Sequence, residues 1–194
     1  MLVIMDKEKE ICTHALKLFA RYGYRKTTVE DVAGAMGMTK SNLYFYFKNK
    51  RDLYEKTVAD ALTGWRDSVA SAVSSQEDVV EKFRTMAHRS FEYLAHHPEL
   101  RTVLENDPGV FTLTPSEDRF YDVNRGAMDI LRSLLVQGID EGRFYPVDVQ
   151  HMTEFLFSVY IMFLIRAYVK SEGSVVSTMY NEAVELAVRG LCIK

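Results

Sequence analysis

The sequence predicts an all-α protein of about nine helices: a three-helix head over residues 1–52, joined by a long helix to a helical body that completes residues 53–194. Three observations predict it. Apolar residues recur at i, i+3, i+4 and i+7 through segment after segment, which is the rhythm of helices with one buried side. Residues suited to capping stand before those segments and glycines after several of them. The chain is 47% hydrophobic with only four prolines, so it has enough apolar material for one or two helical cores and little to break a helix. No internal repeat or low-complexity tract is present.

The first helix is expected to begin at Asp6, an N-cap, to bury Ile11, Ala15, Leu18, Phe19 and Tyr22, and to end at Gly23. Thr28 opens the second, with Asp31 placed three residues on to complete a capping box. Val29, Val32, Ala33 and Met36 give it one buried side, and Gly37 can enter the left-handed conformation that stops the chain and turns it. Thr39 caps the third helix, with Met38 outside and Leu43 inside as a hydrophobic staple. At about 100° per residue, Leu43 and Phe47 share one side of a nine-residue helix while Ser41 and Phe45 take the other, flanked by Asn42 and Tyr44.

An outward phenylalanine and tyrosine beside small polar groups suit a groove better than water. Two short helices across a tight turn place the start of the second in the major groove of DNA. Thr39, Lys40, Ser41 and Asn42 occupy that start and offer hydroxyl, ammonium and amide groups to phosphate or base edges. Lys48 and Lys50 follow, beside a helix start capped by Asn49 with Asp52 at its third position, and cations with free amides attract phosphate. Arg25, Lys26, Thr27 and Thr28 lie at the second helix's start, where Thr27 or Thr28 either contacts a phosphate or simply caps.

The run Leu43-Tyr44-Phe45-Tyr46-Phe47-Lys48-Asn49-Lys50 resembles the most recognisable motif of the TetR (tetracycline repressor)/AcrR family of transcriptional regulators. Phe19-Ala20-Arg21-Tyr22-Gly23-Tyr24 and Thr27-Thr28-Val29 are similar to that family's pattern as well, and the resemblance is close over residues 7 to 60. It implies a recognition helix using Thr39, Lys40, Ser41, Asn42, Tyr44 and Tyr46, with Lys48 and Lys50 on phosphates. Phe45 departs from the family, which often has a tyrosine there, and this favours apolar contact with a thymine methyl or a sugar.

The long helix runs from Lys50 to about Ala72, with Leu53, Val58, Ala61, Leu62, Trp65, Val69 and Ala72 inward. In this reading its front end meets DNA and its rear end belongs to the body. Ser74-Ser75-Gln76 breaks it. A stripe of Val79, Val80, Phe83, Met86, Ala87, Phe91 and Leu94 forms the next helix, ended by His96-His97-Pro98. Pro98 suits the first turn of a short helix carrying Leu100, Val103 and Leu104. Residues 106–113, with Pro108-Gly109, read as a loop. Thr114-Pro115-Ser116-Glu117 combines cap, first-turn proline and capping-box glutamate, and starts a helix that runs to Glu141 and stops at Gly142.

Two helices finish the chain, one over Val149 to Lys170 and one over Val176 to Leu191. The first is apolar on most of its circumference, so a second copy of the chain is expected to cover part of it. In one arrangement Met152, Phe155, Leu156, Val159, Tyr160, Phe163 and Ala167 face the body's own core. Thr153, Phe157, Ile161, Leu164 and Tyr168 then meet the partner with Met179, Ala183, Leu186, Ala187 and Gly190. The pattern does not distinguish this from the reverse. The family resemblance implies a homodimer on the last two helices, a roughly palindromic operator in double-stranded DNA, repression as the usual mode, and release by a ligand held in the body.

Candidate lining residues for an apolar or amphipathic organic effector are Trp65, Phe83, Met86, Phe91, Met128, Phe155, Tyr160 and Met162, with His88, Arg89, Asn124 and Arg125 as polar anchors. Core packing is the alternative for each apolar one. No cofactor is expected. His96-His97 point about 100° apart on a helix and have no carboxylate or cysteine at usable spacing, so no metal is expected. No nucleophile motif, acid-base constellation or phosphate loop is present, and an enzyme is not expected.

Charge is uneven. Residues 1–56 carry eleven Lys or Arg against seven Asp or Glu, and the remainder thirteen against twenty, so a basic head joins an acidic body. Cys12 and Cys192, at opposite ends, suggest a reduced cytoplasmic chain. No membrane span is expected, since the longest apolar run, Phe155 to Ile165, is short of the roughly 20 residues a bilayer needs, and no signal peptide is read at the start. The alternative reading is a helical sensor or scaffold acting through a protein partner with weak general DNA contact.

Overall fold

The structure is a computed structural model that describes residues 2–112, 115–170 and 172–193, with the side chains of residues 2–6, 115 and 174 left aside. Nine α-helices are found among these residues: α1 (Leu2–Lys26), α2 (Val29–Ala35), α3 (Lys40–Leu43), α4 (Lys50–Ser74), α5 (Val79–His96), α6 (Pro98–Asn106), α7 (Tyr121–Asp140), α8 (Val149–Leu164) and α9 (Gly173–Leu191). The described residues form no strand, only an isolated bridge between Phe144 and Cys192. They fall into two compact units, Met1–Gly64 with His97–Asp107, and Trp65–His96 with Pro108–Lys194.

In the first unit α1 packs against α6 and α2, and α2 against α3. Ile11, Ala15, Phe19, Val32, Leu43, Leu53, Val58 and Leu104 are buried together with Phe47. Helix α1 begins at Leu2, earlier than the expected start at Asp6, whose side chain lies outside those described. Gly23, at φ 77° and ψ 160°, breaks the helical path where a stop is expected, and one further turn follows it. Tyr22, expected inside, is exposed because it falls next to that break; the Arg21 guanidinium lies 5.2 Å from its ring centre. Phe19 and Tyr54 meet edge to face at 5.0 Å, and the Tyr54 hydroxyl donates to Asp107 Oδ2 at 2.9 Å.

In the second unit α5 packs on α7 and α9, and α7 on α8. The backbone oxygens of α5 also take bonds from neighbouring aromatic residues. Tyr180 donates to Ala87 O at 3.0 Å, Trp65 Nε1 and Tyr160 both donate to Ser90 O at 3.1 Å, and Tyr168 donates to Phe91 O at 3.0 Å. Helix α7 ends at Gly142, φ 66°, with Arg143 N bonded to Gly138 O and Gly142 N to Ile139 O, a Schellman stop. The buried Phe144 ring then lies over Gly138, where an added Cβ would stand 2.1 Å from Cδ2. Tyr145 N to Leu191 O and Ile193 N to Arg143 O tie the end of α9 to this turn.

Four expectations are corrected. Residues 115–117 form a 3-10 turn and α7 starts at Tyr121, because the Asp118 carboxylate binds Phe120 N at 2.8 Å and Asn124 Nδ2 at 2.9 Å and holds the entry open; Thr114 lies outside the described residues. Helix α9 begins at Gly173, three residues early. Helix α8 gives way to a π turn at Ile165–Val169. With that turn, Val149–Val169 is 21 residues long with a mean hydropathy of 1.5, long and apolar enough to cross a membrane, since the helix outruns the unbroken apolar run. Only 22% of its most apolar window is buried within the chain.

Candidate nucleic-acid interface

The helix-turn-helix is assembled by local bonds. At the start of α2, Thr28 Oγ1 accepts from Asp31 N at 3.1 Å while the Asp31 carboxylate accepts from Thr28 N at 2.7 Å, a full capping box. The Thr28 hydroxyl donates to the same carboxylate, and these bonds hold Asp31 below the usual carboxylate range. Gly37, φ 62°, closes α2 with Met38 N on Ala33 O and Gly37 N on Gly34 O, so the chain reverses within three residues. Thr39 Oγ1 then accepts from Asn42 N at 3.2 Å and starts α3.

Helix α3 is four residues long rather than the expected nine. Phe45 N bonds to Asn42 O and Tyr46 N to Leu43 O, so the last turn tightens to i, i+3 bonds and regular helix ends at Leu43. The facing survives this change: Leu43 is 0% and Phe47 1% exposed, whereas Phe45 is 86% exposed. Ser41, Asn42 and Tyr44 are exposed as well, and Tyr46 is half-buried. The Lys56 ammonium holds the end of the turn, donating to Tyr46 O at 3.1 Å and to Glu8 at 2.8 Å, and standing 5.2 Å from the Phe47 ring centre. Helix α4 is capped by Asn49 Oδ1 on Asp52 N at 2.9 Å, with Asp52 reaching back to Lys48 N at 2.8 Å.

Several expected DNA contacts have other commitments. Thr27 is 1% exposed and its hydroxyl donates to Gly23 O at 2.9 Å, which removes it from phosphate reach and leaves Thr28 as the surface residue of the pair. The Lys50 ammonium donates to Arg25 O at 3.1 Å and lies 4.6 Å from the Tyr24 ring centre. The Lys40 ammonium meets Glu30 Oε1 at 2.5 Å and lies 5.8 Å from the Tyr44 ring centre. Sequence reading missed Glu30, Tyr24 and Lys56, because their partners come from other elements and no spacing rule joins them. Lys48 is exposed.

In the second unit Trp65 and Tyr160 come together around Ser90 O, and Phe91 stacks on Tyr180 at 4.3 Å. Phe83 is buried against Phe144, and Met86, His88, Asn124 and Met128 are half-buried, while Arg89 and Arg125 are exposed. Asn124 is taken by Asp118. Phe155, 60% exposed, and Met162, 44% exposed, point away from any interior, which corrects their place among the lining residues. The shallow depression on α7 formed by Arg132, Ser133, Val136, Gln137, Asp140 and Glu141 shares no residue with the expected pocket. No cluster of three or more metal-ligating side chains occurs among the described residues.

Helix α8 follows the arrangement set out above only in part: Tyr160 and Phe163 lie inside as expected, but the residues expected at the partner are inside as well. Thr153, Ile161 and Leu164 are buried inside the unit, and Tyr168 reaches Phe91 O, while Phe155 and Met162 face outward. With both sides of α8 apolar, packing against α7 and the contacts of Tyr160 with α5 and of Phe163 with α9 decide which is inside. On α9 the outer residues include Met179, Leu186 and Gly190, with Ala183 and Ala187 half-buried beside them.

A capped two-helix head whose second helix and following turn rest on Leu43 and Phe47 and offer Phe45 outward has the geometry of a helix-turn-helix DNA-binding head. Residues 11–57 match the family of bacterial regulatory proteins described as the tetR family. The HTH-type transcriptional repressor KstR2 of Mycobacterium tuberculosis is 25% identical over 154 residues, 79% of this chain and 77% of its own. A TetR-family transcriptional regulator of Pectobacterium atrosepticum has the same fold at a TM-score of 0.81 and 21% identity, covering 100% of this chain and 98% of that one. FadR of Bacillus subtilis, solved in complex with stearoyl-CoA, shares the fold at a TM-score of 0.75 and 20% identity, covering 93% and 97%. The head, residues 11–57, is that of the tetR family of bacterial regulatory proteins.

Proposed function

We propose that the chain represses transcription in the cytoplasm by binding a palindromic operator as a homodimer, and that a small apolar or amphipathic ligand releases it. The observation that carries the reading is Phe45, held outward by the tightened turn that follows a capped helix and is locked from behind by Leu43 and Phe47. In this reading residues 1–52 read DNA and residues 53–194 bind ligand and dimerise. Thr28, Thr39 and Lys48 serve phosphates, and Ser41, Asn42, Tyr44 and Phe45 serve base edges and sugars. The outward apolar residues Phe155 and Met162 of α8 and Met179 and Leu186 of α9 support a dimer on these two helices, since an exposed apolar face of that kind calls for a cover.

Two-fold heads reading half-sites a helical turn or a multiple apart make the operator palindromic. Ligand release is a population shift and requires the ligand to favour one spacing of the heads over another. The fold shared with a regulator solved with stearoyl-CoA, and the aromatic residues gathered on α5, support an amphipathic organic effector. Titration against genomic fragments tests the reading: a palindromic site should be preferred over bulk DNA by about 10³ or more. Equal affinity for all fragments refutes it.

A further inference from the structure

We infer that Glu30 is a specificity-determining residue of the head: it holds the Lys40 ammonium away from the phosphates of arbitrary DNA, so that Lys40 engages only where a sequence offers it a better acceptor. The inference rests on the DNA-reading assignment of the head and deepens it. Glu30 is the second residue of α2 and Lys40 the first of α3, and their side chains meet at 2.5 Å across the turn. Both stay open to solvent, with 56% and 49% of their side chains exposed, so the bond is made at the surface offered to DNA. The Tyr44 ring, 5.8 Å away, flanks the ammonium on another side. The Lys40 bond holds the Glu30 carboxyl below its usual range, and the Glu30 bond raises the Lys40 ammonium above its own.

A cation so committed releases no counterion when the head lies against a random duplex. Salt dependence counts the cations that neutralise phosphates, with a slope of about −0.9 for each. On a cognate site the groove offers Lys40 acceptors such as guanine O6 and N7 in exchange for the carboxylate. On other sequences those acceptors do not stand opposite Lys40, phosphate is what remains in reach, and the carboxylate, already in place, competes with it. Glu30 thereby lowers background binding more than cognate binding.

The test is the salt slope of binding to a short random-sequence duplex, measured for the full chain, Glu30→Gln, Lys40→Gln and the double variant, beside the same titration on a selected operator. Glu30→Gln is expected to steepen the random-duplex slope by about 0.9 for each engaged head, which adds about threefold in affinity per head between roughly 200 and 50 mM salt. The operator preference should fall by a similar factor. Lys40→Gln alone should leave the random-duplex slope unchanged, and Glu30→Gln should not steepen it once Lys40 is gone. An unchanged slope in Glu30→Gln, equal steepening with and without Lys40, or a flatter slope in Lys40→Gln each overturns the role of Glu30 while leaving the operator preference of the natural chain intact. A natural chain that binds neither duplex overturns the DNA-reading assignment itself, and this role with it.

Discussion

Replacing Phe45 by alanine removes the residue whose placement defines the head. The ring is 86% exposed, so the protein loses almost no packing, and stability should stay within about 0.5 kcal/mol of the natural chain. A ring that presses on a thymine methyl or a sugar covers about 100 Å² of its surface, worth about 2.5 kcal/mol at 25 cal/mol/Å². Association returns less than area arithmetic, which leaves about 1–2 kcal/mol per head, or about five- to thirtyfold. In a dimer with two engaged heads the factors multiply. Binding to random DNA rests on charge, and Phe45 carries none, so that affinity should change less than about twofold and the salt slope not at all. Fluorescence anisotropy on operator and random duplexes at several salt concentrations measures both. Equal loss on the two DNAs refutes a base- or sugar-contacting ring, and a lowered melting point would show that Phe45 supports the fold instead.

Three other predictions follow from packing and burial. Gly138→Ala drives a Cβ into the buried Phe144 ring at 2.1 Å; overpacking should cost about 1–3 kcal/mol despite alanine's better helix propensity, so thermal unfolding at the natural chain's midpoint or above refutes the contact. Leu186→Asp on the outer side of α9, where Leu186 is 70% exposed, should leave helical content intact yet split the proposed dimer by burying an unpaired carboxylate, a cost of several kcal/mol, and unchanged mass in sedimentation would count against that face. Burial pushes the Cys12 thiol up to about 12, so the native state keeps its proton while an unfolded thiol loses it near the ordinary value of roughly 8.5. The resulting contribution is fully present below that value and is lost as pH rises toward 12; Cys12→Ala should remove this loss, and at pH 8 a thiol reagent should modify Cys192 well before Cys12.

The parts of this fold written in neighbouring residues were legible. The Thr28 and Asp31 box, the Gly37 and Gly142 stops and the Asn49 cap each need only a few consecutive positions, and each stands where the spacing puts it. Leu43, Phe47 and Phe45 were readable for the same reason, even though the turn tightens beyond Leu43. What failed depended on other elements. Of the adjacent Thr27 and Thr28, one is buried and one caps, and only packing against α1 selects which. Lys40 and Lys50 look like open cations in sequence, yet Glu30 and the Arg25 carbonyl take them. Helix α8 carries apolar residues all round, so periodicity had no side to choose. The contact of Gly138 with Phe144 went unread, because nothing within the helical pattern around Gly138 names the ring that closes on it from beyond the helix end.

The aromatic donors on α5 act as a key cut for a single lock position. Trp65 from α4, Tyr160 from α8, Tyr168 from the π turn and Tyr180 from α9 grip three carbonyls within five residues. Sliding α5 by even one residue, about 1.5 Å along its axis, would pull all four out of register together. Helix α5 is therefore the fixed rail of the second unit, and any rearrangement there has to turn or flex its neighbours around it.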